Sequence, residues 1–327
     1  MSTGSKISIA MAVYNGERFI GEQLESFVRQ TRLPDELVVS DNASTDRTVE
    51  IVRDFAARAP FPVRLFINDS NLGFMKNFER AITECTGGVI FLSDCDDVWY
   101  PSKVSLMEQA LAESPRAALA ICDADLVDEH LESLNRRLWQ VHKFRYRSRD
   151  HERLSAGNTF NRRIPPTGCC MAFRARFKPL VLPLPDGSSH DIFIAWTIIY
   201  SGVGGVALVP QPLVAYRQHP KQTSRTARGA KPNGPERGRF AQDFAGRKER
   251  PVRDLGPVIR RLESAYEWEE SNKKLLSAVL RHWRARCELP ASRLARAPLV
   301  IRELATLRYW RFSGGIPTAV KDLIFVQ

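Results

Sequence analysis

The chain has 327 residues, 43% of them apolar, and a formal net charge of +11. That size holds one domain of about 200 residues plus an appendage, and no apolar run approaches the roughly 20 residues that a membrane span requires. The charge is uneven: residues 221–327 hold 23 Lys and Arg against 11 Asp and Glu, whereas residues 1–220 hold 25 against 26, so the two regions are expected to do different jobs.

The first residues run almost at once into "KISIAMAVYNG" (6–16), a β-prone stretch ending in Asn-Gly. No separate basic region, apolar core and cleavage site precede it, so a cytoplasmic protein is expected. "ERFIGEQLESFVRQT" then repeats Phe19, Ile20, Leu24, Phe27 and Val28 at helical spacing, and Pro34 stops it. The plan recurs with a strand over Glu36–Ser40, a polar turn and a helix capped near Ser44 or Thr45. A third strand (63–69), a third helix (75–85) and a fourth strand (88–93) follow. Alternation of this kind predicts a mainly parallel sheet with helices on both faces and a ligand crevice at the carboxyl ends of the strands. The polar clusters fall at those ends: Tyr14-Asn15, Asp41-Asn42, Asn71 and Asp94–Asp97.

Neither a G-x-G-x-x-G nor a G-x-x-x-x-G-K-[ST] stretch is present, so nicotinamide, flavin and phosphate-loop chemistry are disfavoured. Any phosphate in the crevice must be neutralised another way. In "FLSDCDDVWYPSK" (91–103), Asp94 and Asp96 are two residues apart and in extended geometry project to one side. Hard oxygen ligands of this kind suit Mg²⁺ or Mn²⁺. Cys95 between them, a single soft ligand, makes a poor zinc site. The six cysteines show no C-x-x-C spacing, and the adjacent pair Cys169-Cys170 is poor disulfide geometry, so reduced thiols are expected.

Seven pieces in order carry a family resemblance: "ISIAMAVYNGERFIGEQLESFVRQT", "ELVVSDNASTDRTVEIV", "NDSNLGFMKNFERAI", "GGVIFLSDCDDVWYPSK", "TGCCMAFR" (167–174), "HD" (190–191) and "YRQH" (216–219). Over about residues 6–220 the chain resembles the inverting family 2 glycosyltransferases. The wording of the acidic stretch, with "NLGFMKNFERA", is similar to the rhamnosyltransferase-like branch of bacterial surface polysaccharide synthesis. The resemblance implies the α/β GT-A fold, a Rossmann-like mixed sheet flanked by helices, here with a basic helical C-terminal region. It implies a nucleotide-sugar donor (a UDP- or dTDP-sugar, with dTDP-rhamnose first), a glycan or lipid-linked glycan acceptor, and a divalent cation, Mn²⁺ or Mg²⁺.

Carried over residue by residue, the resemblance makes Asp96 the direct metal ligand, puts Asp94 nearer the ribose or a metal-bound water, and has Asp97 orient the loop or the donor sugar. Asp41 and Asn42 stand where the family contacts the base, with Asn42 in place of a second acidic residue, and Val13, Tyr14 and Asn15 line the same pocket. Lys76 approaches the phosphates; a solvated helix lysine is the alternative. Asp191 matches the catalytic base, against a plain helix N-cap. His190 and Thr167-Gly168 lie on the acceptor side, His219 resembles a late metal or diphosphate ligand, and Arg217 contacts phosphate or is solvated. Cys169 and Cys170 are expected to be packing residues.

The expected domains are a catalytic unit over residues 1–222, a basic linker or mobile loop over 223–256 and a basic helical region over 257–327. The last holds amphipathic segments at 258–289 and 293–312 that lie on anionic lipid or pack on the core. Two competing functions stay open: nucleic-acid binding through the basic third, disfavoured by the acidic crevice, and a transferase-like inactive partner.

Overall fold

The structure, a computed structural model, describes residues 5–142, 144, 146, 166–220, 222, 252–264 and 270–324. The central sheet grows from strands buried on both faces. β1 (Ile7–Val13) sends Ile7, Ile9, Met11 and Val13 to one side and Ala10 to the other. The same two-residue period places Leu37 and Val39 against Val38 in β2 (Glu36–Asp41). α1 (Ile20–Val28) and α2 (Thr48–Ala56) cover the first face through Leu24, Phe27, Val52 and Phe55. Edge strand β3 (Val63–Ile67) leads into α3 (Phe74–Glu84), whose Met75, Phe78 and Ile82 cover the second face. β4 (Val89–Ser93) divides its side chains between the faces in the same way.

After β5 (Val98–Trp99), α4 (Lys103–Glu113) joins the first face, and β6 (Ala117–Val127), β7 (Ser133–Arg137) and the one-turn α5 (Leu138–Val141) follow. β8 (Met171–Arg174), the short α6 (Lys178–Val181), α7 (His190–Ser201) and β9 (Gly205–Arg217) complete the unit. The strand order is β3-β2-β1-β4-β8-β6-β9-β5, with β7 on β6. β1 to β4 run parallel, so their carboxyl ends share one edge. β8 enters antiparallel to β4 and β6, which makes the sheet mixed. β5, antiparallel to β9, ties the segment after β4 to the end of β9.

Two boundaries differ from expectation. α2 starts at Thr48 rather than near Ser44 or Thr45, because the preceding loop spends its polar groups on the turn: Ser44 N–H donates to Asp41 Oδ1 (2.9 Å) and Thr45 N–H to Asn15 Oδ1 (2.9 Å). Asp46 Oδ1 accepts the Thr48 N–H at 3.0 Å and satisfies the first helical turn instead. The expected linker over 223–256 lies mostly outside the described residues, but its end is helical, since α8 runs over 252–264.

Leu255, Val258 and Leu262 of α8 are buried in the same core as α3 and α7, as are Leu276 and Val279 of α9 (Glu270–Cys287). Arg261 donates to the carbonyls of Leu180, Leu182 and Pro183 at 3.1, 2.7 and 2.6 Å. These two helices therefore pack on the sheet domain. α10 (Arg293–Ala305), α11 (Arg308–Phe312) and α12 (Ile316–Ile324) add a small apolar cluster around Val300, Tyr309 and Ala319. A buried polar network holds it to α9: Arg286 Nε donates to Asp322 Oδ2 (2.7 Å), Tyr309 OH donates to the same oxygen (2.8 Å), and His282 Nδ1 meets Glu303 Oε2 (2.8 Å). Among the described residues no helix is long and apolar enough to cross a membrane.

Removing one member of a buried ion pair strands the other, which costs about 3–5 kcal/mol. Asp322→Ala is expected to lower unfolding stability by that amount in urea titration. A loss below about 1 kcal/mol, the range of exposed pairs, would show that water reaches the network.

Candidate active site

The crevice at the carboxyl edge of β1, β2 and β4 is built from loops that the strands fix. β1 ends at Val13, and Asn15 then takes a left-handed conformation, φ 48°, so that the chain turns back toward α1. Tyr14 is left 48% exposed at the rim. Gly16 packs against the acidic loop: a Cβ there would lie 3.0 Å from Cys95 Sγ.

At the end of β2, Asp41 and Asn42 part ways. Asn42 is buried, donating to Asn71 Oδ1 (2.7 Å) while its Oδ1 accepts from Leu72 N–H (2.8 Å) and Asn68 Nδ2 (3.2 Å). Asn68 also donates to Asn77 Oδ1 (3.0 Å), and Asn77 donates to the Val13 carbonyl (3.1 Å). These amides knit the ends of β1, β2 and β3 together, with the Asn42 oxygen accepting two hydrogen bonds and its amide nitrogen donating one. Asp41 differs: Oδ1 binds Ser44 N–H, and Oδ2 is buried without a partner. Lys76 is half-exposed and paired with Glu79 at 3.0 Å on its own helix, outside this network.

The acidic stretch after β4 bends at Cys95 and Asp96 instead of continuing as a strand, so the extended geometry expected for Asp94 and Asp96 does not hold. The bend sorts the carboxylates. Asp96 Oδ2 meets His219 Nε2 at 2.9 Å. Asp94, Asp97 and Cys169 each offer a ligand atom, all within 4.8 Å of one another. Burial pushes Asp94 well up, helped by repulsion from Asp96, Asp97 and Asp191. Burial, then Asp96, lifts Asp97 to about 7, against the pull of the Cys169 thiol and the Arg217 N–H, which donates to Asp97 Oδ1 at 3.0 Å.

Two cations hold this cluster in place, and neither reaches out to solvent. Arg217 is buried, donating through Nε to the Asp96 carbonyl (2.6 Å), through its guanidinium to the Glu129 carbonyl (2.6 Å), and to the Glu22 carboxylate. Lys103 is buried over the Trp99 ring, 3.2 Å from its centroid, and donates to the Cys169 carbonyl. Arg217 is thus neither solvated nor free for phosphate. Lys103 and Glu22 had no assigned role in the sequence, and Cys169 was expected only to pack. Only Lys103 left a trace there, as the basic end of "DDVWYPSK".

The residues present fit a divalent cation: three acidic side chains crowd one bend, two with raised protonation that a cation would relieve. Burial raises the Cys169 thiol well above its ordinary value, so it stays protonated and the carboxylates are the donors. Across the crevice, α7 begins at His190 with Ser189 as its N-cap residue, so Asp191 lies inside the first turn rather than at the cap. Its Oδ1 accepts from Ile192 N–H (2.7 Å) and from Ser189 Oγ. His190 stacks on Phe78 at 3.7 Å between centroids, and neither ring nitrogen has a hydrogen-bond partner. Burial holds the ring below its usual range, hence neutral. Gly168 makes room for it: a Cβ there would lie 2.5 Å from His190 Nε2. Thr167, Gly168, His190 and Asp191 thus sit together, on the side of the crevice where Asp191 and Asp94 repel.

Comparison with known proteins bears on the family and the fold. The model of glycosyl transferase family 2 matches residues 8–178, just over half of the chain. The putative glycosyltransferase EpsE of Bacillus subtilis is 33% identical over 104 residues, 32% of this chain and 37% of its own. The dTDP-rhamnosyl transferase RfbG of Shigella flexneri is 36% identical over 98 residues, 29% of this chain and 34% of its own. The matched segments thus span about a third of these relatives' lengths. In structure, residues 1–349 of S. aureus TarS with UDP superpose with a TM-score of 0.57 at 17% identity, covering 98% of this chain and 80% of that one. The mannosyltransferase PcManGT of Pyrobaculum calidifontis, solved with GDP-Man and Mn²⁺, gives 0.56 at 20% identity, covering 98% and 79%. The fold is GT-A, and the chain belongs to glycosyl transferase family 2.

Because the folded protein holds the Asp97 proton more tightly than the unfolded chain, this group takes stability away as pH rises from about 4 toward 7, and by pH 8 the loss is complete. In the presence of chelator, Asp97→Asn is expected to raise the melting temperature more at about pH 8 than at about pH 5. Equal gains at both would mean that Asp97 titrates as an ordinary exposed acid.

Proposed function

We propose that this protein is a metal-dependent, inverting glycosyltransferase that moves a sugar from a uridine or thymidine diphosphate donor to a hydroxyl of a glycan or lipid-linked glycan. The observation that carries the reading is the cluster of Asp94, Asp97 and Cys169 within 4.8 Å at the end of β4, with the charge of Asp191 near enough to add to the repulsion on Asp94. The acceptor oxygen forms its bond to the anomeric carbon as the bond from that carbon to the diphosphate oxygen breaks. The electron pair leaves with the diphosphate and the hydroxyl proton passes to Asp191. Ser189 and Ile192 N–H fix Oδ1, which leaves Oδ2 to take the proton.

Asp96 and Asp94, with His219 as a further ligand or as the group that orients Asp96, would hold Mn²⁺ or Mg²⁺, which would supply Lewis-acid stabilisation of the leaving diphosphate. Asp97 and Arg217 hold the loop. Thr167, Gly168 and neutral His190 line the acceptor side. On the donor side, Val13, Tyr14 and Asn15 wall the base pocket, and Asp41 Oδ2 accepts the base N–H of uracil or thymine. Asn42 supports that wall from behind, and Lys76 reaches the phosphates only if it leaves Glu79. Thymidine diphosphate rhamnose is the first donor to test, since RfbG carries that activity in its name. The catalytic unit is residues 1–222, with the basic helical region appended. A lipid-linked acceptor places the protein at the inner face of the cytoplasmic membrane.

Thermal unfolding with nucleoside diphosphates and their sugars tests the donor. A ligand at about 100 times its dissociation constant adds about 2.7 kcal/mol, and the stabilisation is expected for one base and to vanish with chelator. No shift with any nucleotide would favour the inactive-partner or nucleic-acid alternatives. Asp191→Asn is expected to lower kcat by about 10²–10⁴-fold with the nucleotide shift intact. Unchanged turnover would remove Asp191 as the base.

A further inference from the structure

The C-terminal helices expose what a soluble surface normally buries. Leu294 and Ile301 of α10 are 88% and 61% exposed. With Pro298 and Ala305 they fall at positions i, i+4, i+7 and i+11, one stripe on the side opposite the buried Arg296, Val300 and Glu303. α12 repeats the arrangement, with Ile316, Val320 and Ile324 exposed and Ala319 and Asp322 inward. Leu307 and Trp310, exposed as well, lie on the stretch of chain between the two helices. Of the thirteen exposed large apolar residues described, these are seven.

Charge on the same helices has one sign. The acidic side chains of residues 291–324 are Glu303 and Asp322, both buried and bonded to His282, Arg308, Arg286 and Tyr309. Arg293, Arg302, Arg311 and Lys321 are exposed. The surface therefore combines outward apolar side chains with basic groups and carries no exposed acid.

We propose that the outward faces of α10 and α12, with Trp310 between them, form a docking surface for an anionic phospholipid bilayer. Apolar side chains enter the boundary between headgroups and acyl chains while the basic groups meet lipid phosphates. A second copy of the chain would bring like charges together, and a nucleic acid would leave Leu294 and Ile301 without an apolar partner. A bilayer surface satisfies both features. The inference deepens the lipid-linked-acceptor part of the proposed function and gives it a physical surface.

The test is co-sedimentation of the full chain with phosphatidylcholine vesicles, with and without phosphatidylglycerol, at low and high salt. Binding is expected only with the anionic lipid and is expected to weaken with salt. The double variant Leu294→Ser and Ile301→Ser, which removes no buried contact, should weaken vesicle binding about tenfold with the melting temperature and the nucleotide-induced shift unchanged. Equal pelleting with neutral vesicles, no pelleting, or binding indifferent to the variant would overturn the proposal. So would concentration-dependent dimers that the variant abolishes. The readout needs no sugar transfer: vesicle binding without a nucleotide shift would refute the enzymatic reading alone, and a nucleotide shift without vesicle binding would refute the docking surface alone.

Discussion

Repulsion among Asp94, Asp96 and Asp97 is the constraint around which the rest of the crevice is arranged. Buried like charges drive their own protonation or pull the loop open. The fold resists this with charges delivered from far along the chain. β9 pairs with β5 and so carries Arg217 to the Asp96 carbonyl and Asp97 Oδ1. α4 starts on the buried Lys103, whose charge draws both Asp94 and Asp97 back down. Both cations spend their hydrogen bonds on protein carbonyls and carboxylates, so they stabilise the loop without occupying the place a substrate cation would take. The remaining excess of negative charge, in Asp94 and Asp97 beside Cys169, is an arrangement that could hold a divalent ion.

The opposite wall works by exclusion. Gly168 and Phe78 enclose the His190 ring from two directions, and burial keeps it uncharged. A neutral, close-packed neighbour adds no positive charge beside Asp191, whose Oδ1 is held by the Ile192 amide and the Ser189 hydroxyl. At the ends of β1, β2 and β3, the amide network of Asn42, Asn68, Asn71 and Asn77 does the corresponding work, tying three strand ends together beside the buried, unpartnered Asp41 Oδ2.

Much of this was legible in the sequence because it depends on short-range pattern. The strand period of Ile7, Ile9 and Met11, the helical spacing of Ile20, Leu24 and Phe27, and the placement of polar clusters at strand ends all follow from local chemistry. The resemblance gave Asp96 and His219 each as a ligand, and the structure brings the two together at 2.9 Å. What escaped were facts of hydrogen bonding and long-range contact. Glu22 and Arg217 are 195 positions apart, and nothing local in either marks the pair. Asn42 could be placed beside the base pocket but its bonds to Asn71, Asn68 and Leu72 could not be seen, and the start of α2 moved because Ser44 and Thr45 give their amides to Asp41 and Asn15.

The basic C-terminal third shows where composition alone divides into two answers. Amphipathic, arginine-rich helices suit either a lipid surface or a packed subdomain, and here the helices differ in what they bury. α8 and α9 bury Leu255, Val258, Leu262, Leu276 and Val279 in the sheet's own core, so they serve packing. In α10 and α12 the inward positions are already filled by Val300, Ala319 and the paired Glu303 and Asp322. Their further apolar residues have no core left to enter and remain outside. Surplus apolar surface of this kind carries a solvation cost, and the helices bearing it have kept all their acids inside, so the one environment that relieves both conditions is apolar at depth and anionic at its face.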